Sequence, residues 1–140
     1  MSCMRYWIVP NDGKMFNTEK AIAHNNGFVD WRAGRCKFLV GDIVFLYKSF
    51  PESCIRHMMR VVKTDINQQD AFNQKTFWTD YQSNFNRYLA FKYVRLELLN
   101  TIEDNSLNFA NLRKHGLRSN LQGIQTCSGD LLYFILRHFE

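Results

Sequence analysis

An α+β domain, in which a small mixed sheet or barrel is packed outside by helices, is the fold this 140-residue chain predicts, on three observations. The run from Phe38 to Tyr47, broken once by Gly41-Asp42, is apolar and rich in β-branched and aromatic residues, as a buried strand requires. Around it the order of elements reads strand, helix, several strands, helix, helix. Finally, 46% hydrophobic residues in one domain of this length are enough to bury roughly 70% of the unfolded surface with no disulfide or metal to hold it.

Residues 5–9 are the first predicted strand, stopped by Pro10-Asn11-Asp12-Gly13, a dense turn signal. Asn17-Thr18 caps a short helix to about residue 25, closed by Gly27, and Ala21 with Ile22 are its only apolar surface. Residues 28–31 read as a brief extended piece that delivers Trp31 to a loop rim. Ile43–Lys48 is the central strand, and Gly41-Asp42 supplies the turn before it because Gly accepts positive φ and Asp bonds nearby backbone. In residues 54–64, Ile55, Met59 and Val61 share one face while Arg56 and Arg60 take the other, which fits a half-exposed strand in a hairpin with Ile43–Lys48. Residues 65–86 have no clear period and read as a functional loop or a concealed short helix. Strand character returns over 88–99 with Val94, Leu96 and Leu98 inward, and 100–105 reads as a turn. A short helix follows over 108–114, ended by Gly116. Ser128 caps a last helix to Phe139 whose inner face is Leu132, Ile135, Leu136 and Phe139.

Composition narrows the function. Cys3, Cys36, Cys54 and Cys127 form no C-x-x-C pair and lie at no zinc-finger spacing from a histidine, so the pattern calls for no metal and no cofactor. The four histidines are equally scattered and give no nucleophile a base. No run reaches the ~20 apolar residues of a membrane span, and no signal-peptide pattern opens the chain, so the expected partner is not a membrane and the expected location is cytoplasmic. The formal charge of +5 instead favours a polyanion, and 15% aromatics supply rings on which bases could stack. Arg32, Arg35 and Lys37 make one basic cluster, Arg56, Arg60 and Lys63 a second, Arg113, Lys114 and Arg118 a third.

Four segments carry a resemblance. They are Tyr6-Trp7-Ile8-Val9, the Asp30-Trp31-Arg32 loop, the Val40-Gly41-Asp42-Ile43-Val44-Phe45-Leu46-Tyr47-Lys48-Ser49 strand, and the stretch from Gly116 to Gln125 before the final helix. In this order they resemble the EVE family of the PUA-like superfamily, related to the YTH domains, along nearly the whole chain. The resemblance implies a single domain over residues 1–140, a twisted mixed β-barrel of about five to six strands flanked by helices. It also implies a non-catalytic reader of a modified, methylated base in DNA or RNA, with a nuclease or other effector as a further partner. The implied base pocket is walled by Pro10 and Asn11, by Trp31, and by Tyr47 with Ser49, while Arg32 and Arg35 match the family's basic loop. Where many members carry Ser-Glu-Pro, this chain has Pro10-Asn11-Asp12.

Each residue has a plainer alternative. Trp31 sits among charged residues and reads as a pocket wall, Trp7 as core; Trp78 either closes the pocket or staples its loop to the barrel. Tyr47 and Ser49 either bond a base edge or satisfy neighbouring backbone, and Asn11 reads a base edge or simply makes a turn. Lys48 at the strand end, with Arg118, Asn120 and Gln122 before the last helix, are candidates for nucleic-acid backbone contacts. Met58-Met59 and the Phe residues of the last helix are core. Two rival functions stand beside the reader: an enzyme acting on a nucleobase, for which no catalytic group is visible, and a small-molecule or nucleotide sensor using the same pocket.

Overall fold

The computed structural model describes residues 5–11, 17–33, 36–67, 70–71, 92–118, 121 and 123–139. Among them the elements run β1 (Tyr6–Asn11), α1 (Thr18–His24), β2 (Phe28–Arg32), β3 (Ile43–Lys48), β4 (Cys54–Ile66), β5 (Tyr93–Thr101), α2 (Phe109–Lys114), β6 (Gln125–Thr126) and α3 (Gly129–Phe139). The strands form one mixed sheet in the order β2-β5-β4-β3-β1-β6, with β1 parallel to β3 and the other pairs antiparallel. The expected mixed sheet with flanking helices is therefore present, open rather than closed among the described residues.

β3 lies inside the sheet and is covered on both sides, which is why its sequence is continuously apolar rather than alternating. Val44 and Leu46 join Trp7, Val9, Met59 and Val61 on one face, under Ala21 and Ile22 of α1. Ile43, Phe45 and Tyr47 join Ile8 and Ile55 on the other, under Leu112 of α2 and Leu131, Ile135 and Phe139 of α3. The entry to β3 is pinned by Asp42, whose carboxylate is only 2% exposed. It accepts hydrogen bonds from the Trp7 indole at 3.0 Å, from the Leu39 amide at 3.0 Å and from the Arg5 amide at 3.4 Å, with the Arg5 guanidinium 3.3 Å away. Gly41, at φ +98°, makes the turn that lets Asp42 double back.

Several boundaries differ from expectation. β1 continues through Pro10 and Asn11 instead of stopping there; β6 pairs only with Trp7 and Ile8, so the missing proline N–H falls where the outer side of β1 has no described partner. Trp31 is not on a loop rim but in β2, opposite Val94. Beside it Asp30 is buried and accepts from two Arg95 nitrogens, Nε at 2.8 Å and Nη2 at 3.0 Å, in a cross-strand pair. β5 runs on through Thr101, where Met58 and His57 pair with Asn100 and Thr101. The inner face of α3 turns to include Leu131 and Phe134 with Ile135 and Phe139, leaving Leu132 and Leu136 partly buried, because Phe134 stacks on His115 at 3.7 Å between centroids. The segment 65–86, apart from 65–67 and 70–71, lies outside the described residues, as do residues 88–91 of the expected strand.

Candidate functional site

The parallel pairing of β1 and β3 sets Asn11 beside Lys48, and Ser49 donates its amide to the Asn11 carbonyl at 3.0 Å. Alternation along both strands puts Asn11 and Lys48 on the α1 face, directly beyond Val9 and Leu46. There the first turn of α1 meets them. Asn17 caps the helix by accepting from the Lys20 amide, and the next residue, Thr18, is fully buried and takes a hydrogen bond from the Asn11 amide group. Glu19 then projects its carboxylate to the Lys48 ammonium, which also meets Glu52 at 3.0 Å. From β4, beside Leu46, His57 enters the same cluster, 5% exposed, with Nδ1 3.3 Å from the Thr101 hydroxyl. Its Nε2 stands 3.7 Å from Glu19 Oε1, beyond hydrogen-bond reach, and has no hydrogen-bond partner among the described residues.

A buried polar atom without a partner costs free energy, so this is a cluster built for charge rather than for packing. The His57 ring, then the Lys48 ammonium, hold the Glu19 carboxyl down to about 2 against the opposing effect of burial. Burial pulls the Lys48 ammonium down, but the Glu19 and Glu52 carboxylates outweigh it and the net shift is upward. Lys48 likewise lowers Glu52. The arrangement sets an ionised carboxylate, a cation and an amide group side by side, each already paired within the fold: Lys48 with Glu19 and Glu52, and Asn11, 3% exposed, with Thr18. Because the Glu19 pKa is depressed from 4.5, its contribution to stability is complete above about 4.5 and is lost as pH falls toward 2. Glu19→Gln is accordingly expected to flatten the acid limb of melting temperature against pH in that window; an unchanged limb would show that the carboxylate is not engaged.

The residues singled out from sequence divide. Asn11, Lys48 and Ser49 meet at this edge, with Pro10 adjoining. Trp31, half-buried, packs on the core cluster of the same face, with Trp7 and Phe38. Tyr47 does not share a slot with it. Its ring is 5% exposed within the opposite cluster, because alternation along β3 turns it away from its neighbours Leu46 and Lys48, and burial raises its phenol. Lys48 is held by two carboxylates rather than presented to solvent, its side chain 14% exposed. Arg32 and Arg118 are exposed, at the end of β2 and after α2. Trp78, Arg35, Asn120 and Gln122 lie outside the described residues. Thr18, Glu19 and His57 went unpredicted, although His57 stands at the parity of Met59, where a polar residue is a signal in itself; Ile55, expected on the face of Met59 and Val61, is turned to the opposite cluster by a β-bulge beside His57.

No protein-family model matches the sequence, and no curated protein is similar to it. Solved structures do match. Human THYN1 in complex with 5-methylcytosine-containing DNA is similar with a TM-score of 0.64 and 15% identity, over 95% of this chain and 96% of that one. A ZmASCH mutant protein from Zymomonas mobilis matches at 0.63 and 10%, over 94% of each chain. Rpa0253 from Rhodopseudomonas palustris matches at 0.63 and 12%, over 97% of this chain and 93% of that one. The likeness is one of fold alone: a mixed sheet with flanking helices, shared at 10–15% identity.

Proposed function

We propose that this chain, a PUA-like fold of the kind seen in THYN1 and ASCH proteins, is a nucleic-acid-binding domain that takes up a modified base, in the first instance a methylated cytosine. The observation that carries the reading is the match along 95% of the chain to a human protein whose structure holds DNA with 5-methylcytosine. The chain's own chemistry supports it. Lysine and arginine outnumber aspartate and glutamate by 18 to 13, and a polar cluster closes the ends of β1 and β3. Trp31 is half-buried on that same face.

Taking a base out of its stack costs a few kcal/mol, which aromatic faces and hydrogen bonds to the base edge must replace. A single base–aromatic stack is worth roughly 1–3 kcal/mol. Trp31 is the aromatic wall in this reading, and the base edge is met at the strand ends where Asn11 and Ser49 lie. The domain binds and does not convert; a nuclease or other effector would act on what it finds.

Trp31→Ala is expected to weaken binding to a duplex carrying 5-methylcytosine by roughly 5- to 150-fold, the worth of one stack, while Trp31→Phe retains most of it. Binding to the unmodified duplex should fall far less. Equal losses on both duplexes would remove Trp31 from the pocket, and turnover of either duplex by the wild-type protein would replace the reader with an enzyme. Matching RNA oligonucleotides in the same titration decide which polymer is preferred.

A further inference from the structure

Five of the 18 lysines and arginines are paired with carboxylates among the described residues. Arg5 is paired with Asp42, Lys48 with Glu19 and Glu52, Arg56 with Glu52, Arg60 with Glu97 and Arg95 with Asp30. Lys114, Arg118 and Arg137 are different. All three are exposed, none makes an ion pair among the described residues, and all line one groove of about 1030 Å³ between the end of α2, β6 and the start of α3. Asp130, in the first turn of α3, is the one carboxylate among the groove's described lining residues.

The groove is built on packed elements. Leu117, Leu131 and Phe134 are buried beneath it. The His115 ring stacks on Phe134 at an interplanar angle of 6°, and the Arg137 guanidinium stands 5.9 Å from the same ring's centroid, so Arg137 is steadied from within the fold. The hydroxyls of Thr126 and Ser128 are exposed along the wall. Three cations gathered around one cleft repel one another, and an anion relieves that repulsion. β6, on the groove's wall, hydrogen-bonds to β1, whose far end carries Asn11. The groove thus lies on the α3 face of the sheet and the polar cluster on the α1 face, one strand pairing apart.

We propose that this groove is a second binding site, separate from the base pocket, which takes phosphate groups of the bound nucleic acid's backbone. The proposal rests on the reading of the chain as a nucleic-acid binder. Lys114 and Arg137 bind phosphate without reading sequence, so their contribution is independent of the methyl group. The surplus of two positive charges over the lining carboxylate is the kind of field that releases counterions on binding.

The test is a Lys114→Ala/Arg137→Ala double variant, both positions being exposed, with a cooperative melting transition to show that it is folded. Binding to a duplex with one 5-methylcytosine and to its unmodified twin is titrated at several salt concentrations. The slope of log K against log salt should become shallower by about 2, which shrinks the loss of affinity between about 50 and about 200 mM salt roughly tenfold. The ratio of affinities for the two duplexes should not change. An unchanged slope, with discrimination intact in both proteins, overturns the groove and leaves the base reader standing. A lost ratio with an unchanged slope would place these residues in the base pocket, which also overturns it. Absence of nucleic-acid binding by the wild type removes both readings together.

Discussion

Replacing Asp42 by alanine should lower the free energy of unfolding by about 3–5 kcal/mol, the cost of breaking a buried charged network from one side. The variant leaves the Trp7 indole N–H and the Leu39 and Arg5 amides facing a pocket with no acceptor. Each such orphaned donor costs about 1–3 kcal/mol when water cannot replace the lost partner. The Arg5 guanidinium, 3.3 Å from the carboxylate and 5.0 Å from the Trp7 ring centroid, loses its counter-charge as well. Asp42→Asn keeps one acceptor oxygen and should lose distinctly less. Urea denaturation of the two variants checks the ordering; an alanine variant within about 1 kcal/mol of wild type, the size of one ordinary hydrogen bond, would show that Asp42 does not organise the entry to the central strand.

Phe45→Ala should cost a similar about 3–5 kcal/mol, by the different route of an emptied core. Phe45 is fully buried on the α3 face, its ring stacked near Tyr6 at 6.3 Å and Phe139 at 5.7 Å between centroids. Alanine removes the ring from between a strand and the end of a helix that cannot both close the gap. Phe45→Leu retains much of the volume and should cost markedly less. A denaturation midpoint for the alanine variant close to that of the leucine variant would mean the two layers collapse onto each other freely.

Much of this fold can be read without coordinates, and the reasons are local. Ile43–Lys48 appeared with its observed ends because an apolar run between polar residues has few alternatives. The Asn17 cap and the glycine at 27, with φ +95°, mark α1 by side-chain chemistry that acts within a few residues. What stayed hidden depends on partners distant in the chain. Trp31 looked loop-bound because Asp30 and Arg32 flank it, yet the Asp30 charge is answered by Arg95, 65 residues on. Tyr47 seemed to stand at a solvent edge, since nothing in a uniformly apolar strand tells which parity faces which helix. The polar cluster is assembled from β1, α1, β3 and β4, and no spacing joins Asn11, Glu19, Lys48 and His57. Histidine at an inward parity was the one clue available.

The central claim meets its most direct test in titrating the wild-type protein with two duplexes that differ by the 5-methyl group of a single cytosine, at low and at high salt. Burial of one methyl is worth about 0.8 kcal/mol, or roughly fourfold in affinity, and a pocket that also disfavours the unmodified base would enlarge that. The methylated duplex should bind at least about fourfold more tightly at both salts, while both affinities fall steeply with salt because phosphate contacts set their absolute size. Equal affinity for the two duplexes, or binding that ignores salt, would contradict a reader of modified bases.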